Sequence, residues 1–153
     1  MDYQEFNDPL VYRRILLTVD EDDNESTIKA FRFATTMAHD YDTRLGIVSV
    51  LESDDINIFD SLTPAKLKEK RDELKNVVDN YVKMAENLGL KKVDPLVYDE
   101  GDVDDVIIDR AIPDFKPDLI VTGADTILPR SKITATIGPR LAKKAPVSVI
   151  VVR

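Results

Sequence analysis

Ile15-Leu16-Leu17-Thr18-Val19, ended by Asp20, is a run of five uncharged residues, three of them β-branched. A strand that is apolar at successive positions has no face to offer water, which suits a parallel sheet covered by helices on both sides. Leu119-Ile120-Val121-Thr122, ended by Gly123, has the same character. Three more such runs, Leu45 to Leu51, Val93 to Tyr98 and Val147 to Val152, are separated from these by longer helical patterns. The alternation describes βαβ units. Pro95 has no N–H for a ladder, so the third run is expected at an edge or starting late. Val147 to Val152, if it forms the other edge, presents an apolar row that pairing with a second copy would cover.

The intervening helices follow from periodicity. Ile28, Phe31, Ala34 and Ala38 recur at helical spacing, with Ser26 and Thr27 as candidate caps. Between Thr63 and Leu88, a stripe of Leu67, Leu74, Val77, Val78, Tyr81, Ala85 and Leu88 runs along a long amphipathic helix that Gly89 stops. Asp102 precedes a short pattern of Val106, Ile107 and Ala111, which Pro113 is expected to close. Gly138-Pro139 opens a fourth helix with Leu141 and Ala145 inward. Glu52 to Pro64 reads as one long surface loop.

Composition narrows the function. A chain of 153 residues with 33% charged and 43% hydrophobic residues is sized and mixed for one folded domain. With 21 Lys and Arg against 29 Asp and Glu, its charge of −8 repels nucleic acid and anionic membrane. The lack of cysteine removes disulfides and thiolate chemistry, and a lone His39 cannot build a histidine metal cage. The start, Met1-Asp2-Tyr3-Gln4-Glu5, is acidic where an export signal is basic and then apolar, so a cytoplasmic protein is expected. Residues 1–11 read as a loose arm and 12–153 as the domain.

In an open parallel sheet, ligands bind beyond the carboxyl ends of the strands where strand order reverses, which points to the residues after strands one and four. After strand four come Gly123-Ala124-Asp125-Thr126, then Arg130, Ser131 and Lys132, then Thr134-Ala135-Thr136-Ile137-Gly138-Pro139. Small residues, hydroxyls and a helix start are what a polyphosphate needs, and Arg130 and Lys132 supply positive charge. The same residues also serve as a helix cap and turns, with no ligand. Asp20-Glu21-Asp22-Asp23-Asn24-Glu25 is either a site for Mg²⁺ bridging to phosphates or a solvated acidic loop. It is no EF-hand, because Glu25 and Phe31 stand where Gly and Glu are required.

Tyr12-Arg13-Arg14-Ile15-Leu16-Leu17-Thr18-Val19-Asp20, Pro117-Asp118-Leu119-Ile120-Val121-Thr122-Gly123 and Ala145-Pro146-Val147-Ser148-Val149-Ile150-Val151-Val152-Arg153 resemble blocks of the universal stress protein family. Gly101-Asp102 adds to the resemblance, which spans roughly residues 12–153. It implies a single α/β domain, a Rossmann-like three-layer sandwich. The implied sheet is parallel and five-stranded, in order 3-2-1-4-5, with helices on both faces. It also implies frequent dimerisation and, in one subgroup, ATP binding.

That subgroup carries G-x2-G-x9-G-[ST] after strand four. Here Gly123 is kept, Thr126 replaces the second glycine, and Ala135-Thr136 stand for Gly-Ser with the spacing one residue short.

Carried onto this chain, the resemblance seats adenine against Asp20 and Val50 beside the strand end Thr18-Val19. Ribose falls at Gly123, and the phosphates at Thr126, Arg130, Ser131, Thr136 and the Ile137 amide, with Ala124 and Ala135 also among the expected binding residues. The expectation is a stress-response protein that binds ATP, with Mg²⁺, and hydrolyses it little or not at all. The alternative is a nucleotide-free dimeric regulator of the same family, paired through Val147 to Val152. A phosphoacceptor receiver domain fits poorly, because it needs a Lys after strand five.

Overall fold

Arg14–Thr18 forms β1, and its central place follows from its lack of any polar face: it pairs in parallel with β2 (Arg44–Val50) on one side and β4 (Leu119–Gly123) on the other. β3 (Val93–Tyr98) extends the sheet beyond β2, and β5 (Ser148–Val152) extends it beyond β4. The order is therefore β3-β2-β1-β4-β5, all parallel, as the sequence implied. The computed structural model describes residues 3–21, 25–51, 63–124 and 137–153. Pro95 sits in β3 opposite Ile47 on an edge strand, where its missing N–H is tolerated.

Alternation along the strands feeds two cores. Ile15, Leu17, Val19, Leu45, Ile47, Leu119 and Val121 face α1 (Glu25–Asp40) and α2 (Pro64–Asn87). Leu16, Val48, Val50 and Ile120 face the opposite layer of α3 (Val103–Val106), α4 (Ile112–Phe115) and α5 (Ile137–Lys144). Ile15, Leu16, Leu17, Leu45, Ile47, Leu119 and Ile120 are fully buried. Each contributes about 1.5–3 kcal/mol, so β1 and its two neighbours dominate the stability of the sheet.

The starts of β1 and β4 are tied by polar contacts. The Asp118 carboxylate accepts the backbone N–H groups of Arg13 and Arg14, both at 2.9 Å, and Arg14 stacks its guanidinium 4.4 Å from the Phe115 ring while donating to the Phe115 carbonyl. Phe115 in turn lies against Gly46, where a Cβ would come within 3.0 Å of its ring.

Four details differ from the sequence expectation. Ile28 is half-exposed, while Ala30, Phe31, Ala34 and Ala38 carry the buried stripe of α1. Ser26 and Thr27 lie inside the first turn of α1, past its start at Glu25, and so do not stand at the cap position. Leu88 is exposed at the end of α2, and Leu90 enters the core in its place after Gly89 turns the chain at φ +95°. Pro113 does not close its helix. A π-helical turn, Ile107–Ala111, widens the coil ahead of the proline, which sits in the first turn of α4, and the chain continues to Lys116 in the left-handed region. Proline cannot donate to the preceding turn and its ring crowds the carbonyl four residues back; the wider turn accommodates both.

Ahead of β1, Tyr3–Asn7 forms a short 3₁₀ turn with no buried residue. No helix among the described residues is long and apolar enough to cross a membrane.

Candidate functional site

β1 runs into α1 on one face of the sheet, whereas the chain after β4 returns as α5 on the other. α1 and α5 thus lie on opposite faces where strand order reverses, and in an open parallel sheet such a place, above the carboxyl ends of β1 and β4, is where a ligand crevice forms. Strand register then fixes what borders it. Thr18 ends β1 level with Val48, so Asp20 comes level with Val50, the last residue of β2; Leu17 pairs with Val121, so Val19 comes level with Gly123.

Backbone bonds hold these strand ends. The Val19 N–H donates to the Val48 carbonyl at 2.9 Å, and the Ala124 N–H donates to the Val152 carbonyl at 2.7 Å. Beneath them the Thr18 and Thr122 hydroxyls hydrogen-bond to each other at 2.8 Å, both buried. This pair ties β1 to β4 at the floor of the crevice. Its sequence signal is a threonine at the end of two otherwise apolar runs.

Of the expected site residues, Thr18, Val19 and Val50 are buried in the strand ends, while Asp20 and Ala124 are partly exposed at the rim. Ile137 is buried at the start of α5, and the next residue, Gly138, packs under Thr122 and Val151, with a Cβ there falling 3.1 Å from Val151. That contact sets the beginning of α5 over the ends of β4 and β5. Thr126, Arg130, Ser131, Ala135 and Thr136 lie outside the described residues, as does most of the acidic loop after Glu21.

Gly123 has a steric role that the sequence did not reveal. A Cβ there would lie 2.8 Å from Ser26 Oγ and 2.9 Å from the Ser26 carbonyl carbon and the Thr27 nitrogen. The end of β4 thus packs directly on the first turn of α1, and only glycine leaves room.

Two polar clusters lie on the face of the sheet that carries α3, α4 and α5. Asp104, with its side chain 2% exposed, receives Lys144 Nζ at 2.9 Å and has Arg140 at 3.8 Å, which joins α3 to α5. At the end of β3, Tyr98 donates its hydroxyl to Asp114 at 2.7 Å under the Arg110 guanidinium, 4.9 Å from the ring. Burial and that bond to Asp114 raise the Tyr98 pKa well above the ordinary range, so it remains a neutral donor. Arg71 pairs with Asp99 beside it.

Residues 11–153 match the pattern of the Universal stress protein family. The chain belongs to that family. Solved universal stress proteins share its fold. The universal stress protein UspA from Lactobacillus plantarum is 20% identical, with a TM-score of 0.72, 95% of this chain and 100% of the other being covered. A universal stress protein from Archaeoglobus fulgidus, solved in complex with dAMP, is 18% identical with a TM-score of 0.63 over 94% of this chain and 100% of the other. A universal stress protein solved in complex with cAMP is 16% identical with a TM-score of 0.65 over 94% of this chain and 99% of the other. No curated protein matches significantly. As in other universal stress proteins, the five-stranded sheet is the shared frame; what this chain does with the crevice is read from its own residues.

Proposed function

We propose that this universal stress protein binds an adenine nucleotide, ATP with Mg²⁺, in the crevice above β1 and β4, as a stress-response module and with little turnover. The observation that carries the reading is the divergence of α1 and α5 from β1 and β4, with Asp20 and Ala124 on its rim. Relatives of the same fold solved with dAMP and cAMP support an adenine nucleotide as the ligand class. In this reading the Asp20 carboxylate accepts the adenine amino group, Val19 and Val50 flank the base, and Gly123 and Ala124 meet the ribose. The stretch from Thr126 through Arg130, Ser131, Ala135 and Thr136 to the Ile137 amide takes the phosphates, which carry the Mg²⁺. Two copies pair through the outer edge of β5.

Titration calorimetry of the full chain with ATP and with GTP, each with and without Mg²⁺, tests this. ATP binding in the micromolar range is expected. Asp20→Ala is expected to weaken it about 10-fold or more through the lost charged hydrogen bond, with little effect on any GTP binding. No heat at millimolar ATP sinks the proposal.

One observation favours a second reading, a nucleotide-free dimeric regulator. The glycine that this chain keeps after β4, Gly123, is required by the contact with Ser26 whether or not a phosphate ever approaches. Its presence therefore counts less toward a ligand than the family pattern suggests.

A further inference from the structure

Three of the most exposed large apolar side chains lie within eight residues: Tyr3 at 72%, Phe6 at 72% and Leu10 at 80% exposure. Tyr3 and Phe6 stand three residues apart on a 3₁₀ turn, whose three-residue period puts them on one face, and their ring centroids are 6.1 Å apart. Tyr12, at the root of this arm, leads into the central strand β1, and its side chain reaches past β4 to donate its hydroxyl to Ser148, the first residue of β5, at 2.9 Å. Among the described residues β5 pairs with β4 alone, which leaves its outer row of backbone groups facing away from the sheet.

We propose that the N-terminal arm of one copy clasps a second copy of this chain along β5. The inference rests on the β5 pairing proposed above and adds a contact to it. A two-fold edge-to-edge pairing of β5 runs the two strands antiparallel, so an arm whose root touches Ser148 lies near the far end, Val152-Arg153, of the other copy's strand. Five residues of β5 extend about 17 Å, and an eleven-residue arm reaches that far even when coiled over part of its length. Charge agrees with this direction. Residues 1–12 hold Asp2, Glu5 and Asp8 and no Lys or Arg, whereas the strand they meet ends in Arg153.

Area argues for the same occupant. A five-residue strand pair is a narrow contact. Each arm adds roughly 400 Å² of Tyr, Phe and Leu surface, and two exchanged arms with the surface they cover approach the ~1,600 Å² of a stable interface.

The test uses the full chain, which has no cysteine of its own. Sedimentation equilibrium of the wild type and of the Tyr3→Ser, Phe6→Ser, Leu10→Ser triple variant is compared, and the Phe6→Cys, Arg153→Cys double variant is oxidised and run without reductant beside each single variant. A dimeric wild type, a triple variant with its dimer dissociation constant raised at least tenfold, and an interchain disulfide stronger in the double variant than in either single one are expected. A dimeric wild type whose triple variant dimerises equally, or an intrachain 6–153 disulfide, overturns the clasp and leaves the β5 pairing standing. A wild type that stays monomeric at 100 μM overturns both.

Discussion

The Asp104 carboxylate and the Lys144 ammonium meet at 2.9 Å across the α3–α5 contact, with the acid buried and the base half-exposed. That asymmetry decides which partner matters more. Removing Lys144 leaves a buried carboxylate that faces, among the described residues, Arg140 at 3.8 Å, whereas removing Asp104 leaves two cations that can turn to water.

Lys144→Met is therefore expected to lower Tm more than Asp104→Asn, by roughly 4–8 °C against about half that. Calorimetry at neutral pH checks it, and equal losses would contradict the burial argument. The pH dependence has a definite sign. The hydrogen bond to Asp104 raises the Lys144 pKa above its ordinary value of 10.5. Its contribution is complete below that pH and is lost as pH climbs through the raised folded value. Wild-type stability should fall more steeply above pH 10.5 than that of Lys144→Met.

The Thr18–Thr122 bond gives a double-mutant cycle. Thr18→Val and Thr122→Val each strand one buried hydroxyl and should destabilise by about 1–3 kcal/mol in urea unfolding. The double variant, with both hydroxyls gone, should lose clearly less than the sum of the two. Additive losses would mean that the hydroxyls act independently.

Gly123→Ala forces a Cβ against Ser26 Oγ and the backbone of Ser26 and Thr27, all within 2.9 Å. A loss of about 1–3 kcal/mol is expected, measured by denaturant unfolding without any ligand. Unchanged stability would remove the steric account of this glycine and return its meaning to ligand approach.

The fold was legible because its strands are apolar on both faces and its long helix has a regular stripe; Ile15 to Val19 alone implies helices above and below. The family resemblance supplied the strand order, and Pro95 marked one edge. What stayed hidden depends on contacts far apart in the chain. Asp104 reads locally as one more acid in a helix's first turn, and nothing near it announces Lys144, forty residues on. The neighbour that excludes a Cβ from position 123 is Ser26, almost a hundred residues earlier. Leu88, the last residue of the stripe, is exposed because α2 already ends at Asn87, and the residue that is buried lies beyond the turn at Gly89, where helical spacing no longer applies. The candidate site is legible in its position, after β1 and β4, while five of its expected residues, Thr126 to Thr136, lie beyond what the structure describes.

The π-helical turn at Ile107–Ala111 also absorbs a residue of chain length at this point. Such a turn holds one residue more than the α-helical path requires. Winding the same residues as a regular α-helix, with the extra one kept, would rotate everything downstream by about 100°. Phe115 would swing off Gly46, and the carbonyl and ring that receive Arg14 would leave with it. An insertion that looks like a flaw in one short helix is thus the setting that keeps the start of β1 in phase with the layer beneath it.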